Sequence, residues 1–232
     1  IIIAFKDYRY STGVFGSRWV GLNNFKFFFK STEFARITVN TLYLNALFIL
    51  TGTVMSLLVA ILLYQLTNRT AIKTIQTIFI TPYFVSWVIA SYMLYGFLNT
   101  RFGILNTWLE KLGSDAVDWY SDPKPWPVIF VIVYLWKSIG MDSIPLVSIL
   151  TILKIGNIFR ADFGMFYQLP RDSGALYQTT DVVDTYIFRA LREIGDMGMG
   201  SAVGLLQSAV GFVLVMITNA ISKKIDPDRA LF

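Results

Sequence analysis

Asn157 and Arg160, three residues apart and followed by Asp162 and Phe163, close an apolar block that Lys137, Asp142 and Lys154 also interrupt. Ionisable groups beside a membrane-length apolar run are costly, and they persist where they line a polar cavity or pair with each other. Arg160 therefore reads either as a cavity-facing guanidinium able to hold a carboxylate in a two-pronged grip or as the partner of Asp162. A second set comprises Trp87, Ser91, Tyr92 and Tyr95, with Trp87, Ser91 and Tyr95 on one helical face. It reads as stacking rings beside a hydroxyl, or as packing and interfacial-belt aromatics. The chain has no Cys and no His, so thiol redox chemistry, disulfides, imidazole catalysis and the commonest zinc sites are excluded. It also lacks a glycine-rich loop ending in Lys and Ser/Thr, so any nucleotide must bind elsewhere.

These residues sit in a chain that is 55% hydrophobic and 15% charged. Its charges are clustered: none occurs between Arg36 and Arg69, between Lys73 and Arg101, or between Asp196 and Lys223. Each gap exceeds the ~20 residues a spanning helix needs, which predicts an integral membrane protein. The net charge of +5 is scattered through loops that also carry acids, so no nucleic-acid partner is expected.

The reading is a single transmembrane domain over 1–232. Residues 1–5 are taken as the end of a truncated first span, and 6–40 as an outer connection. In that connection Phe25, Phe28, Phe29, Phe34 and Ile37 form the apolar face of a surface-lying amphipathic helix. Spans follow at 41–66, 75–98, 126–144, 145–159 and 198–222, the second kinked at Pro82. Residues 160–197 form an outer loop or gate region, and 223–232 a cytoplasmic tail. The basic loop 67–74 and the Lys223–Lys224 pair mark the cytoplasmic side. In the last span, Gly200, Gly204, Ser208 and Gly211 offer a small-residue face for a partner helix.

The block 126–159 is anomalous in length. At ~1.5 Å per residue it makes a rod of roughly 51 Å, too long for one crossing of a ~30 Å core and too short for two. With 99–125 and 160–197 both outside, it must be a hairpin, broken at Gly140-Met141-Asp142-Ser143-Ile144-Pro145. It is either a shielded re-entrant hairpin or two full crossings with a cytoplasmic segment absent between Ile144 and Pro145, and the second is the expectation adopted.

Four stretches carry a family resemblance: "IIIAFKDYRY" with "GSRWVGLNNFKFFF", "TIFITPYFVSWVIASYMLYGFLN", "GNIFRADFGMFYQLPRDSGALYQTTDVVDTYIFRAL" and the ending "KKIDPDRALF". They resemble permease subunits of bacterial binding-protein-dependent ABC importers, in the maltose-type carbohydrate and polysaccharide branch. The resemblance implies an all-α bundle of about six transmembrane helices in the bacterial cytoplasmic (inner) membrane. The segment absent between Ile144 and Pro145 then matches the one that carries the family's coupling helix.

The resemblance also implies a function: an oligosaccharide, uronate-containing if Arg160 faces the path, enters by alternating access after delivery by a solute-binding protein. The expected partners are a second permease and two ATPase subunits. The chain itself is not an enzyme and binds no cofactor, since ATP and Mg belong to the ATPases. The substrate path is assigned to Trp87, Ser91, Tyr92, Tyr95, Asn157, Arg160, Asp162 and Phe163, because sugars offer both hydroxyls and apolar ring faces. Binding-protein docking or the outer gate is assigned to Arg171, Asp172 and Tyr177, and contact with the partner permease to the small-residue face. A secondary active transporter and a non-transporting membrane scaffold are the rival readings.

Overall fold

A computed structural model describes residues 1–143 and 154–225. The described residues are mostly helical and fall into two units, 1–45 with 154–163 and 181–225, and 46–143 with 164–180. Among the described residues two helices are long and apolar enough to cross a membrane, or three spans if the bent pair over 69–98 is counted as one. The proposed break between Ile144 and Pro145, most of the expected arm 145–159 and most of the tail lie outside the described residues.

In the first unit, residues Ile2–Phe5 form a 3-10 turn rather than the end of a spanning α-helix. Strand β1 (Lys6–Asp7) then pairs antiparallel with β2 (Arg18–Trp19). The expected amphipathic helix is two helices, α1 (Asn23–Lys30) and the start of α2 (Phe34–Tyr64). They part at Ser31, whose extended backbone ends α1. Phe28 and Ile37 do not lie on a membrane surface: they are buried in a core with Phe159, Val183, Tyr186, Met199 and Val203.

Helix α2 starts seven residues before the expected span, because the polar groups of its first turns find protein partners. Arg36 Nη2 donates to Asp181 Oδ2 at 2.9 Å, and Asn40 Nδ2 to the Asp181 carbonyl at 3.0 Å. The final helix runs over Met197–Ile225, close to its expected bounds.

In the second unit the expected kinked span is a broken one. Helix α3 (Arg69–Ile80) begins where a loop was expected, since Asn68 caps it by accepting from the Thr70 and Ala71 amides at 2.9 and 3.2 Å. A 3-10 turn, Thr81–Phe84, places Pro82 where its missing N–H costs no α-helical bond. Ser86 then caps a new helix, α4 (Trp87–Leu98), bent 98° from the preceding segment.

The stretch 99–125 contains α5 (Ile104–Lys111) and is tied by one buried amide. Asn106 Nδ2 donates to the Val117 carbonyl at 2.9 Å, while its Oδ1 accepts from the Val117 amide at 3.1 Å and from the Trp119 indole at 3.0 Å. Helix α6 (Trp126–Asp142) runs straight through Gly140, which was expected to begin the break. The glycine is there for approach, not for breaking: a Cβ would fall 2.2 Å from the Phe79 carbonyl oxygen of α3.

The region 160–197 is structured rather than looped. It holds α7 (Phe163–Gln168), α8 (Val183–Arg189) and a π-turn, Ala190–Ile194, that Gly195 ends with a φ of 73°. The last helix, Met197–Ile225, is α9.

Candidate functional site

The break before α4 explains Lys137. Its ammonium on α6 donates to the carbonyls of Tyr83 (2.7 Å) and Val85 at the break, and more distantly to that of Pro82 (3.4 Å), which also accepts the Val85 amide at 3.1 Å. It also sits 5.1 Å from the Trp87 ring centre and 5.6 Å from that of Tyr83. Trp87, assigned to the substrate path, thus keeps company with a lysine that closes a helix end. Ser91 is buried and turns its hydroxyl to the Val88 carbonyl at 3.1 Å.

Tyr92 and Tyr95, further along α4, face a different cation. The Arg171 guanidinium lies 4.3 Å from the Tyr95 ring centre and 5.7 Å from that of Tyr92. Sequence reading placed Arg171 with the docking residues and the tyrosines with the path, and the structure joins them. Arg171 (φ 56°) and Asp172 (φ 49°) are the only non-glycine residues with positive φ among the described residues. Such strain survives only where the surroundings impose it. Here the Asp172 amide donates to the Tyr167 carbonyl at 3.2 Å, the Ser173 hydroxyl to the Tyr120 carbonyl at 3.4 Å, and the Tyr177 hydroxyl to Asp172 Oδ1 at 3.0 Å. Asp172 and Tyr177 are half-buried, and Leu169 and Leu176 between and beside them are fully buried. The stretch is a fixed turn with Arg171 exposed on its outside.

Two cavities border Arg171. One of about 550 Å³ is lined by Tyr95, Arg101, Phe102, Asp118, Tyr120 and Arg171 among others; one of about 170 Å³ by Ser91, Tyr92, Tyr167 and Asp172. Burial pushes the Tyr120 phenol up to about 12, against the lowering influence of Arg171.

The second predicted group belongs to the other unit. Asn157 and Arg160 do not share a helical face: the helix stops at Gly156, and the Arg160 amide closes a turn on the Asn157 carbonyl at 2.8 Å. Arg160 Nη2 donates to Ser208 Oγ at 2.9 Å, and Phe163 packs on Phe188 with ring centres 4.8 Å apart. Asp162 is exposed.

Two residues the sequence reading missed hold this turn. Asp184 Oδ2 accepts from the Ala161 amide at 2.8 Å and from Gln207 Nε2 at 3.2 Å, and Gln207 also donates to the Phe159 carbonyl at 3.0 Å. Burial raises the Asp184 carboxyl above its ordinary range, opposed by these hydrogen bonds and by the Arg160 charge. A third missed residue, Asp181, is 1% exposed and bound by both Arg36 and Arg189. The signal available in sequence was weak: Asp181 and Thr185 stand four apart, and the Thr185 hydroxyl donates to Asp181 Oδ1 at 2.8 Å.

The small-residue face of α9 divides. A Cβ on Gly200 would meet Leu191 at 2.6 Å, and one on Gly211 the Gly156 carbonyl oxygen at 3.3 Å, so both serve packing within the chain. Gly204 has nothing within 4 Å of such a Cβ, and the Ser208 hydroxyl turns to the Gly204 carbonyl at 2.9 Å. Among the described residues no group of three or more His, Cys, Asp or Glu could hold a metal ion.

The chain is similar in sequence and fold to known transport components. The chain is 26% identical over 261 residues to the polygalacturonan/rhamnogalacturonan transport system permease protein YteP of Bacillus subtilis, covering 97% of this chain and 81% of that one. It is 27% identical over 265 residues to protein LplB of the same organism, covering 98% and 83%. A chain of the crystal structure of a bacterial ABC transporter involved in import of the acidic polysaccharide alginate superposes with a TM-score of 0.85 at 25% identity, covering 97% of this chain and 87% of that one. The chain resembles carbohydrate ABC importer permeases. A second permease-like match, at TM-score 0.82 and 26% identity, covers 88% of this chain and 83% of a chain in the alginate transporter in complex with alginate pentasaccharide-bound periplasmic protein. No family model matches the chain.

Proposed function

We propose that this chain is the transmembrane subunit of an ATP-driven importer that moves an acidic oligosaccharide through the bacterial cytoplasmic membrane by alternating access. A solute-binding protein delivers the sugar, a second permease completes the path, and two ATPase subunits hydrolyse ATP outside this chain. The reading rests on the near full-length likeness to the alginate importer chain, at a TM-score of 0.85, together with the polyuronate named for YteP. The residues fit a polyanionic sugar: guanidinium groups at Arg160 and Arg171 match a carboxylate in charge and geometry, and Tyr92 and Tyr95 offer faces to pyranose rings.

The test is uptake by the complete transporter in proteoliposomes. Uptake of a galacturonate trisaccharide should need both ATP and the binding protein, and Arg160→Ala should reduce it more than uptake of a neutral trisaccharide. Uptake driven by an ion gradient without ATP would identify a secondary transporter instead, and equal losses for the two sugars would remove the acidic-substrate part.

A further inference from the structure

We infer that the cavity of about 550 Å³ under Arg171 is a binding vestibule for one acidic sugar residue, separate from the turn around Arg160. The inference rests on the importer reading for its substrate class, but its geometry stands alone. The volume lies within the range of small-ligand sites. Its walls are what a uronate needs: Tyr95, Phe102 and Tyr120 supply ring faces, with Tyr95 edge-on to both other rings at centroid distances of 6.1 and 5.6 Å. Two guanidiniums, Arg101 and Arg171, border it against a single carboxylate, Asp118. That carboxylate is occupied by hydroxyls, with Ser121 Oγ at 2.7 Å and Thr100 Oγ1 at 3.3 Å.

Two features point to a ligand rather than to packing. The Tyr120 hydroxyl, on a ring that lines the cavity, is buried with no hydrogen-bond partner among the described residues. The second is Arg171 itself, which no ion pair engages among the described residues: it is laid over the tyrosine rings by a left-handed backbone that arginine rarely adopts. Residues held in such sparsely populated backbone conformations cluster at binding sites.

Asparagine tolerates the left-handed conformation, so Arg171→Asn removes the cation while leaving the turn in place. The complete transporter in nanodiscs, without binding protein, would be titrated with trigalacturonate and with a neutral galactose trisaccharide. Arg171→Asn should weaken trigalacturonate binding about tenfold or more and change the neutral sugar by less than about twofold. Arg101→Gln, on an exposed side chain that carries no fold, should weaken it about threefold. Equal weakening of the two sugars, no weakening of trigalacturonate by either variant, or no trigalacturonate binding by the unaltered complex would each overturn the vestibule. ATP-dependent uptake by the unaltered transporter is scored separately, so its loss discards the importer reading and its persistence with unchanged affinities discards the vestibule alone.

Discussion

Two cations meet tyrosine and tryptophan rings at opposite ends of α4, and their surroundings give them opposite tasks. Lys137 meets Trp87 and Tyr83 where three backbone carbonyls converge on it, so its positive charge is consumed in closing the broken span. Arg171 lies over Tyr92 and Tyr95 at the border of two cavities, and no ion pair engages it among the described residues. A lysine suits the first position because a compact ammonium can serve three acceptors from three directions, and an arginine the second because its planar fork suits a carboxylate. Contact between a cation and a ring is thus no guide to function. What decides is whether the cation's hydrogen-bonding capacity is already filled.

The comparison can be broken most forcefully at Lys137. Lys137→Met strands the Tyr83 and Val85 carbonyls, and should cost about 3 kcal/mol or more in thermal unfolding of the detergent-solubilised protein. A variant as stable as the parent would show that water or lipid satisfies the break. Gly140→Val should cost on the order of 1–3 kcal/mol, because its side chain would push α6 from the Phe79 carbonyl. A smaller effect is expected from Lys137→Arg, about 1 kcal/mol, since the fork cannot reach all three carbonyls at once.

At the other end of α4 the expected stability effects nearly vanish. Arg171→Asn should leave the unfolding midpoint equal or slightly higher, within about 0.5 kcal/mol, while uptake of acidic sugar falls. Tyr120→Phe removes a buried hydroxyl that bonds to nothing and should be neutral to mildly stabilising, by under about 1 kcal/mol in the same assay. A strongly destabilised Arg171→Asn or Tyr120→Phe would return this end to the structural role that Lys137 plays.

Much of the frame was legible. The charge-free runs after Arg36 and after Asp196 locate α2 and α9, because a long apolar helix has no other way to satisfy its backbone in lipid. The start of α3 was hidden because Arg69 and Lys73 read as loop charges, although Asn68 two residues before Thr70 is an ordinary helix cap. Gly140 looked like a breaker for want of knowing that Phe79 passes within touching distance. The candidate site was only half legible: the polar-aromatic run of α4 supplied Tyr92 and Tyr95, whereas Arg171 lies far along the chain and only the fold brings it over them. Asp181 and Asp184 fall within the expected outer loop 160–197 and are not singled out there, because a single sequence carries no mark of burial.

The Arg36–Asp181 ion pair joins residues 145 positions apart. During synthesis Arg36 is made long before its carboxylate, and until then it has only the i−3 neighbour Glu33, 3.7 Å away in the finished protein. The amino-terminal turns of α2 therefore gain this buried partner only when the carboxy-terminal third arrives with Asp181. Ribosome-arrested chains ending near residue 175 should be cut by trypsin at Arg36, and full-length chains arrested on a carboxy-terminal linker that brings Asp181 and Arg189 out of the exit tunnel should resist; cleavage at the same rate in both would show that the end of α2 forms unaided.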